Sequence, residues 1–354
     1  MKKLALTLLL FTINLSFSQN KVEAEKLVEE GIPYHDKGDY EGAINKYNKA
    51  LKLDNDNLLA LSEKALSLLS MKKYDESIIE CKKIIEKYPK ENSLKSVYVT
   101  YGNALDELKK TDQSIEIYDE GLKLFPDYYQ LHFNKGITYS SIQKYDQAIL
   151  NFQQAIIINP KHAGSNNAIA RLEKINDRRI PSILAFCRFL ILDPESERAK
   201  ENLKNLKELM NANVNQTEKK SVTISIDPKM FADTTNLGKP KENNFSSTDL
   251  ISTMDVALDF DKKNKNKTEV ENFIRKFKTI CASLEETKKE NFGFYWSYFA
   301  PYFIEMKNKK LIEPFAYIAF ASSENKDVNK WIKNNQIELD KFYDWSKNYN
   351  WKIE

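Results

Sequence analysis

Few side chains in this sequence have the residue types and spacing that catalysis or metal binding requires. The chain has three histidines, His35, His132 and His162, and three cysteines, Cys81, Cys187 and Cys281. The histidines are scattered, and the cysteines form no C-x-x-C pair or other metal-ligand spacing. Cys81 and Cys187 lie at apolar positions of a helical pattern, where a thiol usually behaves as a small buried hydrophobe. We therefore predict no metal site and no nucleophilic cysteine.

Motifs for phosphate, nucleotide or zinc chemistry do not occur in the sequence. There is no P-loop, no glycine-rich phosphate turn, no H-E-x-x-H pair and no nucleophile elbow. Adjacent carboxylates such as Glu285 and Glu286 point apart on a helix. The sequence therefore predicts a non-enzymatic protein without a cofactor, and the enzymatic alternative is an Asp- or Glu-based hydrolase in the C-terminal region.

The composition favours helices with solvated faces. Charged residues make up 30% of the 354-residue chain and apolar residues 42%, and there are only nine glycines. The formal net charge is +3, which falls to +1 if Lys2 and Lys3 are removed with a leader. Because so small an excess of positive charge does not attract polyanions, we do not expect nucleic-acid binding.

The N-terminus has the pattern of a secretory signal peptide over residues 1–18. Lys2 and Lys3 form a basic start and are followed by the apolar residues 4–13. Small residues precede the expected cleavage point before Gln19. The apolar run is about half of a bilayer span, which argues against the alternatives of a membrane anchor or a buried first helix. We expect an exported protein, periplasmic or extracellular, with no membrane span after cleavage.

One pattern recurs between residues 24 and 196. Its clearest copies are GIPYHDKGDYEGAINKYNKALKLDND and GITYSSIQKYDQAILNFQQAIIINP. Aligned, these copies share a small residue at Gly31 and Gly136 and an aromatic residue at Tyr47 and Phe152. Matching residue types at a fixed period indicate repeats of one supersecondary unit.

The period is defined by the residue that ends each copy. These residues are Asn55, Pro89, Pro126, Pro160 and Pro194, at spacings of 34, 37, 34 and 34. The array closely resembles the tetratricopeptide-repeat (TPR) family, whose unit is a pair of antiparallel helices. The fifth copy diverges, because it has charged residues at its turn and Pro181 early in its second helix.

The resemblance implies an all-α fold in which helix-turn-helix units stack into a solenoid. We place five TPR repeats at residues 24–195 and a capping helix at residues 196–215. The capping helix has apolar residues on one stripe and charged residues elsewhere.

In the TPR family the first helix of each repeat lines a concave groove that binds peptides, and the resemblance implies the same use here. The matching positions are Val28, Ile32, Ser62, Leu66, Asn103, Phe133, Asn134, Ile137, Asn167 and Arg171. Asparagine can hydrogen-bond to a peptide backbone, and Phe133 with Ile137 offers an apolar contact. Each of these side chains can equally face solvent or pack internally. The basic residues with which TPR co-chaperones clamp a terminal carboxylate are absent, so chaperone tails are not the expected ligand.

The C-terminal part is predicted to consist of a linker and a second helical domain. Residues 216–247 are rich in Lys, Asn, Thr and Pro, and residues 222–226 alternate in a way that suits a short strand. Thr268 and Glu271 form a capping box that opens a helix. Residues 248–354 are predicted to form a small α-helical domain.

Aromatic residues are concentrated near the C-terminus. All four tryptophans lie after residue 292, and the stretch FGFYWSYFAPYFIEM precedes Lys307. The stretch can be a sugar-stacking or membrane-surface platform, but Phe299, Phe303 and Met306 recur at core spacing and favour a bundle with its aromatics inside. We expect Pro301 to kink or restart the helix there.

These features predict a non-catalytic scaffold or adaptor of the bacterial cell envelope that binds a peptide or protein partner in the TPR groove. The alternative is an envelope glycan- or polymer-binding protein that acts through its aromatic C-terminal domain. A third hypothesis is that this domain only caps the repeats.

Overall fold

The computed structural model describes residues 2–89, 91–216, 222–225 and 241–351, with the backbone alone for residues 2–18, 215–216 and 241. The chain divides into an N-terminal unit, Met1–Ile158, and a C-terminal unit, Asn159–Glu354. Both units are predominantly helical, which confirms the predicted all-α class.

The N-terminal unit consists of four antiparallel helix pairs. Its helices are α1 (Lys2–Asp36), α2 (Tyr40–Leu53), α3 (Leu58–Ser70), α4 (Tyr74–Lys87), α5 (Leu94–Glu107), α6 (Thr111–Leu124), α7 (Tyr129–Ser141) and α8 (Tyr145–Ile158). Each first helix packs against the second helix of its own repeat, and successive first helices also contact one another. Residues 2–18 of the predicted signal peptide belong to α1. The cleavage of this peptide stays a prediction.

The turn between the two helices of every repeat uses one residue in the left-handed backbone region. These residues are Gly38, Lys72, Lys109, Gln143 and Asp177, with φ between 56° and 82°. Their spacings, 34, 37, 34 and 34, reproduce the period of the terminal residues. Glycine adopts this conformation without steric cost, whereas the other four residues do so with strain.

A small residue on each first helix allows a large side chain of the second helix to approach. A Cβ atom added to Gly102 would lie 2.3 Å from Cε1 of Tyr118, and one added to Gly31 would lie 2.4 Å from Tyr47. In the second repeat Cys81 takes the position of the tyrosine, and its side chain is fully buried. The residue types that recur in the repeats therefore reflect how the two helices of each pair pack. In the second repeat a thiol occupies the position of the aromatic ring.

Serine recurs at one position of the second helix, where it bonds to the first helix. The hydroxyls of Ser77, Ser114 and Ser182 donate to the carbonyls of Ala65, Gly102 and Ala170 at 2.7–2.9 Å. All three serines are fully buried. These bonds fasten the helix pairs of the second, third and fifth repeats.

The C-terminal unit begins with the fifth helix pair and continues into the other C-terminal helices. Its helices are α9 (Ala163–Ile175), α10 (Arg179–Leu192), α11 (Glu197–Met210), α12 (Ser246–Ala257), α13 (Glu269–Thr287), α14 (Ala300–Asn308), α15 (Ile312–Ala319), α16 (Lys326–Asn334) and α17 (Gln336–Lys347). Its strands are β1 (Val214–Gln216), β2 (Val222–Ile224), β3 (Lys241–Glu242) and β4 (Asn291–Phe292). Strands β1 and β2 pair antiparallel, and β3 and β4 pair parallel. The predicted strand is thus present at Val222–Ile224, and Ile226 lies outside the described residues.

Helix α10 is the centre of the C-terminal unit. All residues from Arg179 to Ile191 are buried, because α9, α11, α12 and α15 pack around the helix. Pro181 lies in the first turn, where its missing N–H breaks no helical hydrogen bond. The fifth repeat therefore shares a core with the C-terminal helices, while the predicted domain boundaries, including the largely undescribed linker, stay predictions.

Two local predictions for the C-terminal helices are confirmed. Thr268 and Glu271 form the reciprocal capping box at the start of α13. Residues Tyr295–Phe299 form a single π-helical stretch, after which α14 restarts with Pro301 in its first turn.

Candidate peptide-binding surface

The first helices of the four N-terminal repeats carry one surface of the N-terminal unit. Ile32, Leu66, Asn103 and Ile137 lie at equivalent positions, 34, 37 and 34 residues apart. Because the helices that carry them contact one another in order, α1 to α3, α3 to α5 and α5 to α7, these side chains form a row. We call this row, Ile32, Leu66, Asn103 and Ile137, together with the side chains that flank it on α1, α3, α5 and α7, the first-helix surface.

The predicted groove residues of the first two repeats divide into accessible and buried side chains. Ile32, Ser62 and Leu66 are half-buried. Val28 is fully buried in a core cluster with Tyr47. The prediction is therefore wrong for Val28, because its Cβ faces the second helix of the same repeat rather than a ligand.

Helix α7 supplies an apolar contact. Phe133 is half-buried with its ring centre 5.6 Å from that of Phe152, which holds the ring in place. Ile137, one helical turn further on, is 42% exposed. An apolar side chain of a partner can therefore remove Ile137 from water without displacing the core.

Two asparagines on this surface are oriented by intramolecular hydrogen bonds. Oδ1 of Asn103 accepts a bond of 2.6 Å from the Tyr118 hydroxyl, which leaves its amide N–H groups available. Nδ2 of Asn134 donates to the carbonyl of Gln130 at 2.8 Å, which leaves its side-chain oxygen available. A donor and an acceptor thus remain available on half-buried side chains, and an extended backbone requires both.

Sequence reasoning missed two carboxyl groups of the first-helix surface. Burial, followed by the charge of Asp36, raises the pKa of Glu63. Burial also raises the pKa of Asp106. The only sequence signal for them was their position, because Glu63 follows Ser62 and Asp106 lies one turn after Asn103. The surface therefore presents desolvated acceptors that favour N–H donors.

In the C-terminal unit the predicted residues Asn167 and Arg171 bond to α11. Oδ1 of Asn167 accepts from Nδ2 of Asn202 at 2.8 Å, and Arg171 forms an ion pair with Glu201 at 3.0 Å. Asn202 is buried, whereas Arg171 stays about half exposed. Asn167 thus connects two helices, and Arg171 remains accessible.

The aromatic stretch before Lys307 is mostly internal. Tyr295, Trp296, Tyr298 and Phe299 are fully or almost fully buried. The predicted packing of the aromatics inside a bundle is confirmed, because these rings contact one another and not solvent. They offer no stacking platform for a sugar.

The histidines and cysteines have structural surroundings. Nδ1 of His35 lies 2.8 Å from the Ser67 hydroxyl, and His162 caps the N-terminus of α9. Burial raises the pKa of Cys81 to about 12. All three thiols are free and buried, and the burial of Cys81 and Cys187 was predicted. Among the described residues no group of three or more His, Cys, Asp or Glu side chains is arranged to hold a metal ion.

Family models match three segments of the chain. A model described as TPR repeat matches residues 33–78, and two described as tetratricopeptide repeat match residues 96–128 and 129–162. The first segment contains α2 and α3, and the other two correspond to the helix pairs α5–α6 and α7–α8. The chain contains tetratricopeptide repeats in these segments.

Similar proteins match part of the chain. A Protein STIP1 homolog of Dictyostelium discoideum is 30% identical over 169 residues, which cover 39% of this chain and 30% of that protein. An Hsp70-Hsp90 organizing protein of Triticum aestivum is 29% identical over 174 residues, which cover 40% of this chain and 30% of that protein. The alignments thus span about 30% of the length of these relatives.

Solved TPR structures are also similar. A thermophilic TPR protein of Thermus thermophilus covers 53% of this chain and 98% of its own, with a TM-score of 0.45 and 17% identity. Within the described part of this TPR chain, none of the helices has the length and apolarity of a membrane span.

Proposed function

We propose that this TPR protein is a non-catalytic scaffold of the bacterial cell envelope that holds an extended segment of a protein partner on its first-helix surface. The observation that carries the proposal is the arrangement on α5 and α7. An exposed apolar side chain, Ile137, lies in one row with Asn103, whose amide is oriented by Tyr118.

The carboxyl groups define the chemistry of the partner segment. Glu63 and Asp106 are partly desolvated, so they gain free energy from hydrogen-bond donors. The charged group that raises the pKa of Glu63 is another acid, Asp36. The segment therefore carries backbone or side-chain N–H groups opposite α3 and α5, and an apolar side chain opposite α7.

The relatives support a scaffold in a general way. Two relatives, of Triticum aestivum and Glycine max, are named as Hsp70-Hsp90 organizing proteins. The basic residues that clamp a chaperone tail are not at the corresponding positions here, so the proposed partner is not a chaperone tail.

Photocrosslinking tests the surface. A photoreactive amino acid at Ile137, on the first helix of the fourth repeat, is compared with one at Leu150, which is 60% exposed on the second helix. We expect one discrete protein to crosslink at position 137 and not at 150 when the bacterial envelope is irradiated. Equal crosslinking at both positions would contradict the proposal.

Export is tested separately. The protein is expressed with its natural start in a Gram-negative host, and the N-terminus of the periplasmic or secreted product is sequenced. The envelope proposal expects a chain that begins at Gln19. A product that stays in the cytoplasm and retains residues 2–18 contradicts it.

A further inference from the structure

Helix α10 contains a cation in an otherwise apolar environment. Arg188 lies in the sequence LAFCRFLIL, and 2% of it is exposed. Burying a guanidinium is costly unless an anion or several acceptors compensate it. Among the described residues, no carboxylate forms an ion pair with Arg188. Within the described part of the chain, its positive charge is therefore not neutralised by an anion.

Aromatic rings and neutral oxygens hold the guanidinium in place. Its central carbon lies 5.0 Å from the centre of the Tyr302 ring and 4.7 Å from that of the Trp351 ring. Nη1 donates to the hydroxyls of Tyr302 and Ser346, both at 3.2 Å. These contacts fix the plane of the guanidinium and stabilise its charge in part.

Part of the donor capacity of Arg188 remains unused. Nε is buried and has no hydrogen-bond partner within the described chain. Nη2 makes one bond, to the carbonyl of Pro160 at 3.4 Å, and has a second N–H to donate. An arginine with two free N–H donors can bind the two oxygens of a planar anion.

A cavity of about 390 Å³ reaches Arg188. Three of its lining residues are basic, and the others are apolar or hydroxyl-bearing: Lys161, Arg188, Lys347, Ile191, Leu192, Tyr343 and Ser346. Ser346 both lines the cavity and accepts from Nη1, so the guanidinium lies at the cavity wall. No carboxylate is among the lining residues, and Lys161 and Lys347 are exposed.

We propose that this cavity binds a small organic carboxylate, with the carboxylate on Arg188 and an apolar body against Ile191, Leu192 and Tyr343. The two lysines add long-range attraction at the entrance. A planar two-oxygen group matches the free donors, and the apolar wall distinguishes this ligand from inorganic phosphate. The site belongs to the C-terminal unit alone and does not depend on the first-helix surface.

Titration calorimetry with the full chain tests the site, with sodium hexanoate, hexanamide and sodium phosphate as probes at constant ionic strength. We expect hexanoate to bind at one site, and hexanamide and phosphate to bind at least tenfold more weakly. Equal affinity for hexanoate and hexanamide would overturn the role of Arg188. Equal or tighter binding of phosphate would overturn the assignment of a carboxylate with an apolar body.

Variants locate the binding. Arg188→Met should lower the affinity for hexanoate at least tenfold. Arg188→Lys keeps the charge but lacks the paired N–H donors of the guanidinium, so it should lower the affinity as well. Since Arg188 is buried and its variants can fail to fold, Lys347→Gln at the exposed entrance should lower the affinity several-fold. Lys341→Gln, on the same helix but outside the cavity, is the matched control. Binding that is unchanged in Lys347→Gln, or equally weakened in Lys341→Gln, refutes the proposed position.

Discussion

The hydroxyl of Tyr118 donates a 2.6 Å hydrogen bond to Oδ1 of Asn103. This bond joins the second helix of the third repeat to an amide on the first-helix surface. Tyr118 is fully buried, and burial raises its pKa far above the ordinary tyrosine range. The orientation of a predicted ligand-binding amide is thus fixed from inside the repeat.

Tyr118→Phe removes this bond and should lower the free energy of unfolding by about 1 kcal/mol, the usual net value of one hydrogen bond. The same variant should weaken partner binding, because the Asn103 amide is no longer held in one orientation. Urea unfolding followed by circular dichroism measures the first effect. Tyr145→Phe is the control, since the half-buried Tyr145 makes no side-chain hydrogen bond within the described chain. Equal losses in both variants would contradict the structural role of the bond.

Gly102→Ala should destabilise the protein although alanine has the higher helix propensity. The added Cβ would lie 2.3 Å from Cε1 of Tyr118, whose ring is fully buried and whose hydroxyl is bonded to Asn103. Such overpacking costs about 1–3 kcal/mol, whereas the gain in propensity is at most about 1 kcal/mol. Thermal unfolding measures the result, with the exposed Glu116→Ala on α6 as control. A raised melting temperature for Gly102→Ala would refute the predicted clash.

Asp249→Ala should destabilise the C-terminal unit through an unpaired buried charge. Nη1 of Arg179 lies 2.5 Å from Oδ1 of Asp249, and their side chains are 8% and 18% exposed. Removing one partner of a buried ion pair typically costs about 3–5 kcal/mol, and we expect a value near the lower limit because Ser252 and Thr253 also accept from Arg179.

The exposed ion pair between Lys200 and Glu324 is the control for this prediction. Glu324→Ala should change the free energy of unfolding little, because solvent screens that pair. The double variant Arg179→Met, Asp249→Ala should recover part of the loss. If the double variant loses as much as the sum of the single variants, the two side chains are not coupled.

Glu63 should make stability depend on pH. Because its pKa is raised above 4.5 in the folded chain, the folded state keeps a proton that the unfolded state has already released. The free energy of unfolding therefore falls as the pH rises from about 4.5 through the raised pKa. Glu63→Gln should exceed the wild type in stability at pH 7, and the difference should shrink towards pH 4.

Asp36→Asn provides a second test of the same carboxyl. Removing the negative charge of Asp36 lowers the pKa of Glu63, so the pH-dependent loss should become smaller in this variant. Stability is measured by urea unfolding between pH 4 and pH 7. If the stability gain of Glu63→Gln is constant between pH 4 and pH 7, its cause is not the protonation of Glu63.

Much of the fold was predictable because the repeat is a local packing code. The small residue at Gly102 and the aromatic residue at Tyr118 define one helix pair through residue type and spacing alone. The left-handed residue Lys72 was not recognisable, because lysine does not favour that conformation and only its spacing identifies it. Sequence thus determined the helix pairs better than the turns that join them.

The candidate site was less predictable, because accessibility depends on side-chain direction. Val28 and Ser62 occupy equivalent positions of the first two repeats, yet Val28 is buried and Ser62 is half-exposed. The Arg188 cavity had no sequence signal beyond one arginine in an apolar helix. Its basic side chains come from segments far apart in the chain, which only the folded C-terminal unit brings together.

The burial of α10 limits how the repeat array can grow. A solenoid lengthens when a duplicated helix pair docks on the free face of the last one. Here that face of the fifth pair is occupied by α11, α12 and α15, so a sixth pair inserted after α10 would have to expel an existing core. Extension by duplication, in evolution or in design, is thereby confined to positions before the fifth pair.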